Sequence, residues 1–325
     1  MRTQDGIEIG EAPGGRAGTG GGASGQIEGG AVANRPRPVR RSYIGGWATV
    51  APTGPALPFV RRIGSVVAFI WLALTVATVG LATPALHTSP RASVLIIGGT
   101  MMNGDHFAAS VLPTMRAHFA GCRRVALVLH ASHPVERDRT EARLQKAFAH
   151  LGVAAADSLH RREAAGGREL IAAADAIFVG GGETFVLLAE LRRSGQLEQI
   201  RTRVLAGVPY AGSSAGANVA GLLIGTTNDF PVTDLATRDA LAIFPAVINP
   251  HHPTPAQKAD YESRAGKIRA YLKFNPDETV LALGNAAMAR WHDGRVTIAG
   301  GAAWLYRASG VRALPVGEVV PELSR

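Results

Sequence analysis

One cysteine, Cys122, stands in 325 residues, so no intrachain disulfide framework and no cysteine-based zinc site can form. Acidic residues are scarce: 25 Asp and Glu face 34 Lys and Arg, for a net charge of +9. Nine arginines against four acids precede Ser93, so five of those charges lie ahead of the regular part of the chain. No aromatic–basic stripe accompanies them, and a nucleic-acid partner is not expected. The chain also lacks a Walker A segment and a G-x-G-x-x-G with its distal acid, which argues against a nucleotide site. No cofactor or metal is expected.

Residues 1–62 have no apolar period and are rich in Gly, Ala, Pro and Arg, the composition of a disordered tail. Ile63 to Leu86 contains no charge and follows Arg61-Arg62. That layout predicts an export signal or a membrane anchor at residues 63–86, with a buried core helix as the plain alternative. Export or tethering is therefore the expected location, with the cytoplasm as the alternative.

From about residue 91 to 320 one domain is expected. Short apolar strands (Ser93–Ile97, Arg124–His130, Ala176–Val179) alternate with helical stretches at Phe107–Phe119, Arg139–Leu151 and from Phe185 on. The alternation predicts an α/β fold with a mostly parallel sheet covered on both faces. Lys258–Phe274 reads as a helix. Thr279–Val316, with turn signals at Asp293-Gly294 and Gly300-Gly301, reads as a β-meander closing the domain. In such sheets sites lie at the carboxyl ends of the strands.

Two loops fall there. One is Gly180-Gly181-Gly182-Glu183-Thr184. The other lies within Val204–Leu223, read as strand, turn and helix, where Gly212-Ser213-Ser214-Ala215-Gly216 fits the G-x-S-x-G nucleophile elbow. A Gly/Ala-rich helix start with serine as its cap is the plain alternative. A serine nucleophile needs a base. Of ten histidines, His251 and His252 stand out, because they follow the apolar strand Ala246–Asn249 and a proline. A glycine-rich loop beside the elbow suits an oxyanion hole.

Three segments in order, VGGGETF, GSSAGANVAG and TTNDFPV followed by FPAVINPH, resemble the aspartyl dipeptidase and cyanophycinase family of serine peptidases. The spacings, fifteen residues from Ser214 to Asp229 and thirty-seven to His251, match as well. The resemblance implies a three-layer α/β sandwich of the class I glutamine amidotransferase-like (flavodoxin-like) type, and a serine peptidase domain over residues 91–320. It implies Ser214 as nucleophile, His251 as general base, Asp229 in the charge relay, and the amides of Gly182 and Ala215 as oxyanion donors. The expected substrate is a short peptide, including dipeptides with N-terminal Asp. A cyanophycinase-like or amidase hydrolase and a tethered binding protein without catalysis stay open as alternatives.

Two positions depart from the family pattern. Glu183 replaces the asparagine of the usual GGGNT loop, where its carboxylate would either oppose an oxyanion or point away. The family's Leu-Pro-Glu-Gly segment matches Leu283-Gly284-Asn285-Ala286, so Asn285 is the alternative third member. Arg264, in Glu262-Ser263-Arg264, is either a contact for an acidic substrate group or a solvated helix arginine.

Overall fold

The computed structural model describes Ser89 and residues 91–324. The expected tail at 1–62 and signal or anchor at 63–86 lie outside the described residues. Among the described residues no helix is long and apolar enough to cross a membrane.

Thirteen strands are present among these residues. They are β1 (Ser93–Ile97), β2 (Met102–Asn103), β3 (His106–Phe107), β4 (Arg124–Val128), β5 (Ala155–Ser158), β6 (Ala176–Val179), β7 (Tyr210–Ser213), β8 (Val247–Asn249), β9 (Val280–Leu283), β10 (Met288–His292), β11 (Arg295–Gly300), β12 (Ala303–Arg307) and β13 (Gly310–Leu314). The helices are α1 (Leu112–His118), α2 (Arg137–Ala149), α3 (Ala164–Ala173), α4 (Thr184–Arg193), α5 (Gln196–Leu205), α6 (Ala215–Ala220) and α7 (Lys258–Phe274).

The main sheet runs β11-β10-β1-β7-β6-β4-β5. Five of its members, β1, β7, β6, β4 and β5, are parallel, and the β10–β11 hairpin adds antiparallel to β1. Alternation within the strands explains the layers. Val94 and Ile96 join Ala126, Val128, Ile177 and Val179 in a core shared with α3 to α6. Leu95 and Ile97 join Val125, Leu127 and Phe178 in a core with Met115 of α1 and Leu144 and Phe148 of α2. Strands apolar on both faces thus carry helices on both faces, the expected three-layer sandwich.

Three local expectations are corrected. The stretch from Phe107 does not begin a helix: β2 and β3 form a small hairpin, and α1 starts only at Leu112, with Pro113 in its first turn. A proline lacks the N–H that any later helical position would need. The strand before the elbow starts at Tyr210, and Val204 belongs to α5. The C-terminal strands are no single meander either. β10 and β11 join the main sheet, whereas β9, β12 and β13 form a second sheet with β8, in the order β13-β12-β9-β8. That sheet packs Val247, Val280, Ala282, Trp304 and Tyr306 under Ala265, Ile268 and Leu272 of α7.

The second sheet brings β8, and with it His251 and His252, to the carboxyl edge of the first. Its parallel pairing with β9 also sets Asn249 beside Ala282, at the start of the turn that carries Asn285.

Candidate active site

The elbow between β7 and α6 is built as its composition requires. A β-carbon on Gly212 would fall 2.3 Å from the Gly216 carbonyl oxygen, and one on Gly216 would fall 2.2 Å from that of Val179. Only glycines let α6 start against β6 at this distance. The Tyr210 hydroxyl, fully buried, donates to the Gly216 carbonyl at 2.7 Å and ties the turn to its own strand. Ser214 is left at φ 55°, ψ −113°, a strained conformation at the N-terminus of α6.

Strain concentrates around this point. Thr100, Ser214, His251 and Ala286 are four of the six non-glycine residues with positive φ among the described residues. The end of β1 holds three of them. Successive carbonyls of Ile97, Gly98 and Gly99 accept from the amides of Ser214 (3.0 Å), His251 (2.9 Å) and Ala286 (2.7 Å). One short run of backbone therefore registers the three loops that carry Ser214, His251 and Asn285.

The side chains meet accordingly. His251 Nε2 lies 2.8 Å from Ser214 Oγ, and His251 Nδ1 lies 2.7 Å from Asn285 Oδ1. The amide oxygen can only accept, so Nδ1 carries the proton and Nε2 is left to accept from the serine hydroxyl.

The neighbouring histidine has a different surrounding. His252 is buried, donates through Nδ1 to the Pro253 carbonyl at 2.8 Å, and accepts from the Tyr306 hydroxyl at 2.9 Å. Its ring lies 4.7 Å from that of Trp304. Burial pushes its pKa down to about 4, with Arg264 a smaller cause in the same direction.

Asp229 does not reach His251. Its Oδ2 accepts from the Thr184 amide at 2.9 Å, from the Thr184 hydroxyl at 2.5 Å and from the Thr227 hydroxyl at 3.2 Å. The expected contact of Asp229 with the imidazole is corrected: the carboxylate is spent on the N-terminus of α4, where free amides and the helix dipole draw it. Of the two candidate third members, Asn285 is the one that bonds His251.

Glu183 turns to the same helix end. Its Oε2 accepts from the amides of Phe185 (2.8 Å) and Val186 (3.3 Å), capping α4. Desolvation raises its pKa, and the nearby Asp229 charge adds to this, while the two amide bonds oppose it. At the position that departs from the family's asparagine, the carboxylate thus caps α4.

The glycine loop lies against the elbow. A β-carbon on Gly181 would sit 3.0 Å from Ser214 Cβ, and one on Gly182, at φ 133°, would strike the Ala131 carbonyl oxygen at 2.2 Å. The amides of Gly182 and Ala215 donate no backbone hydrogen bond among the described residues.

Arg264 packs against the residues that lead into His251. It donates to Asn249 Oδ1 and to the Pro250 carbonyl, each at 3.2 Å, and with Lys267, Thr227 and Asn228 lines a cavity of about 250 Å³. Gly98, Gly99 and Ala131 were given no role from the sequence. Only the Gly98-Gly99 pair, at a strand's carboxyl end, offered a signal.

The peptidase family S51 model matches residues 94–299. Peptidase E of Pasteurella multocida is 39% identical over 196 residues, covering 59% of this chain and 82% of that protein. Peptidase E of Streptomyces coelicolor is 32% identical over 235 residues, covering 71% of this chain and 94% of that protein. The crystal structure of a peptidase from an acI-B1 Actinobacterium superimposes with a TM-score of 0.53 at 15% identity, over 70% of this chain and 96% of that one, and shares the fold. With the family motifs matched along most of the described residues, the chain belongs to peptidase family S51 and is a serine-type peptidase.

Proposed function

We propose that this peptidase hydrolyses short peptides, including dipeptides with N-terminal Asp, through an acyl-enzyme on Ser214. The reading is carried by the continuous chain Ser214–His251–Asn285, with heavy-atom separations of 2.8 and 2.7 Å. Ser214 Oγ attacks the scissile carbonyl carbon while His251 Nε2 takes its proton. The amides of Gly182 and Ala215 stabilise the resulting oxyanion, in a direction that the α6 dipole also favours. The C–N bond then breaks as His251 returns the proton to the leaving amine. Water, activated by the same imidazole, releases the acid product.

Asn285 is the third member in this reading. It holds the tautomer and orientation of the imidazole but brings no charge to offset the imidazolium. Asp229 acts one step away, by fixing the start of α4 and hence the glycine loop.

Arg264 is assigned to an acidic group of the substrate. Its support is the polar cavity it shares with Lys267, directly behind Asn249 and Pro250. A guanidinium suits a carboxylate there. The apolar run at 63–86 behind Arg61-Arg62 supports export or tethering, and N-terminal sequencing of the mature protein tests it.

Labelling with a fluorophosphonate tests the nucleophile, and a panel of Asp-Xaa, Ala-Xaa, isoaspartyl and amide substrates tests the class. Ser214→Ala should abolish labelling and lower hydrolysis by on the order of a thousandfold or more. Undiminished turnover in that variant would overturn the assignment. Arg264→Met should raise KM for Asp-Xaa and spare Ala-Xaa.

A further inference from the structure

The β10–β11 hairpin buries one face and leaves the other without a covering helix. Ala289, Trp291, Val296 and Ile298 face the α3–α6 layer and are at most 1% exposed. The alternate residues pair across the hairpin, Arg290 with Thr297 and His292 with Arg295. Arg290 also stands opposite Leu95, a member of the α1–α2 core, so this second face belongs to the α1 side of the sheet. Between it and α1 lies a cavity of about 760 Å³, walled by Thr114, Ala117 and His118 and floored by Arg290, Arg295 and Thr297. That is the size of a small-ligand pocket.

Basic residues on an outer hairpin commonly serve only to keep the edge soluble. Two atoms here do not fit that role. Arg290 Nε and His118 Nδ1 are shielded from solvent, and neither has a hydrogen-bond partner among the described residues. Burying such a group unpaired costs about 1–3 kcal/mol. The carboxylate on the rim, Asp293, is 71% exposed and stands 3.3 Å from His292.

We propose that this trough binds a small oxyanion, a carboxylate or a phosphate, that also carries a hydroxyl or N–H donor. The guanidinium of Arg290, helped by Arg295, takes the oxyanion. The donor follows from His118. Its Nε2 lies 2.9 Å from the Tyr210 carbonyl oxygen, so the proton sits there and Nδ1 is a bare acceptor. Burial, with smaller contributions from Arg290 and His292, pushes its pKa down to about 4, which keeps the ring neutral.

The trough is separate from the serine site. His292 pairs with Ser93, the first residue of β1, and His118 bonds Tyr210, the first of β7. Ser214 follows the last residue of β7 and bonds Ile97 at the far end of β1. A strand of this length spans roughly 13 Å.

Isothermal titration of the full chain at constant ionic strength, with citrate, inorganic phosphate and glycerol as a neutral control, tests the proposal. Saturable binding of citrate or phosphate is expected, the two separating a carboxylate from a phosphate preference, with none for glycerol. Binding should weaken by about tenfold or more in Arg290→Met and in Arg295→Gln, and should be largely kept in Arg290→Lys. The imidazole ¹⁵N resonances of His118 should move on titration while those of His251 stay. No saturable binding of either anion, or binding unchanged in Arg295→Gln, overturns it. Arg295 is exposed, so that variant decides the matter even where Arg290→Met fails to fold.

Discussion

The imidazole of His251 lies flat against the α-carbon of Gly99: a β-carbon there would fall 2.0 Å from Cε1 and 2.5 Å from Nδ1. Gly99 is also at φ 133°, a conformation closed to most side chains. Gly99→Ala should therefore push His251 off Ser214 and lower kcat/KM by about a hundredfold. Circular dichroism and a melting curve should show the fold retained. Wild-type activity in a folded Gly99→Ala variant would mean that His251 is not the base.

Asn285 makes a graded prediction. A hydrogen bond to a charged acceptor is worth about 1–2 kcal/mol more than a neutral one, so Asn285→Glu should raise kcat about tenfold. The carboxylate would favour imidazolium, so the acid limb of the kcat/KM profile should move to higher pH. Asn285→Ala should lower kcat and leave the melting temperature nearly unchanged, because the side chain is exposed. A profile in Asn285→Glu that matches wild type would remove Asn285 from the site.

Asp229 should behave in the opposite way. Asp229→Ala strips the acceptor from the Thr184 amide and from two hydroxyls, so it should cost about 1–3 kcal/mol in urea unfolding. Activity should fall with it, through a loosened glycine loop. An unchanged stability with lost activity would return Asp229 to the charge relay.

These contrasts explain which parts could be read from sequence. The turn at Ser214 and the loop of His251 and His252 were legible because glycine spacing and a strand-ending proline constrain the backbone locally, and the resemblance chose His251 of the two. The parallel sheet was legible because strands apolar on both faces admit few other fates. For the partner of His251 the resemblance offered both Asp229 and Asn285, and the choice between them was not legible, since Asn285 arrives through the pairing of β8 with β9, a contact between segments about thirty residues apart. The β10–β11 hairpin misled for a related reason. Its turn, at Asp293-Gly294, was readable, but nothing in a hairpin's own residues says which sheet edge it will join. Gly98 and Gly99 were visible as a pair at a strand's end, but their role was not, because a glycine's reason is the group packed against it.

Three buried histidines shape the acid limit of stability, and burial lowers the pKa of His130 as it does those of His118 and His252. His118 and His252 are both held down to about 4, in each case mainly by burial. An unfolded chain binds these protons near 6.5. Between pH 6.5 and 4 the unfolded state therefore takes up protons that the native state refuses. Their contribution is complete above about pH 6.5 and is lost as the pH falls toward 4. At pH 5 each accounts for about 1–2 kcal/mol. The carboxylates of Asp175, held low by the amides of Arg124 and Arg123, and of Glu322, held low by Arg312, add their loss only further into acid. Urea unfolding at pH 7.5, 6 and 5 should thus show a steady decline that begins above the carboxylate range. In His252→Gln the baseline should be lower and the decline between pH 6.5 and 5 smaller, with the remainder left to His118 and His130. A wild-type stability that is flat or rising from pH 7.5 to 5 would show that none of these rings is held neutral by its burial.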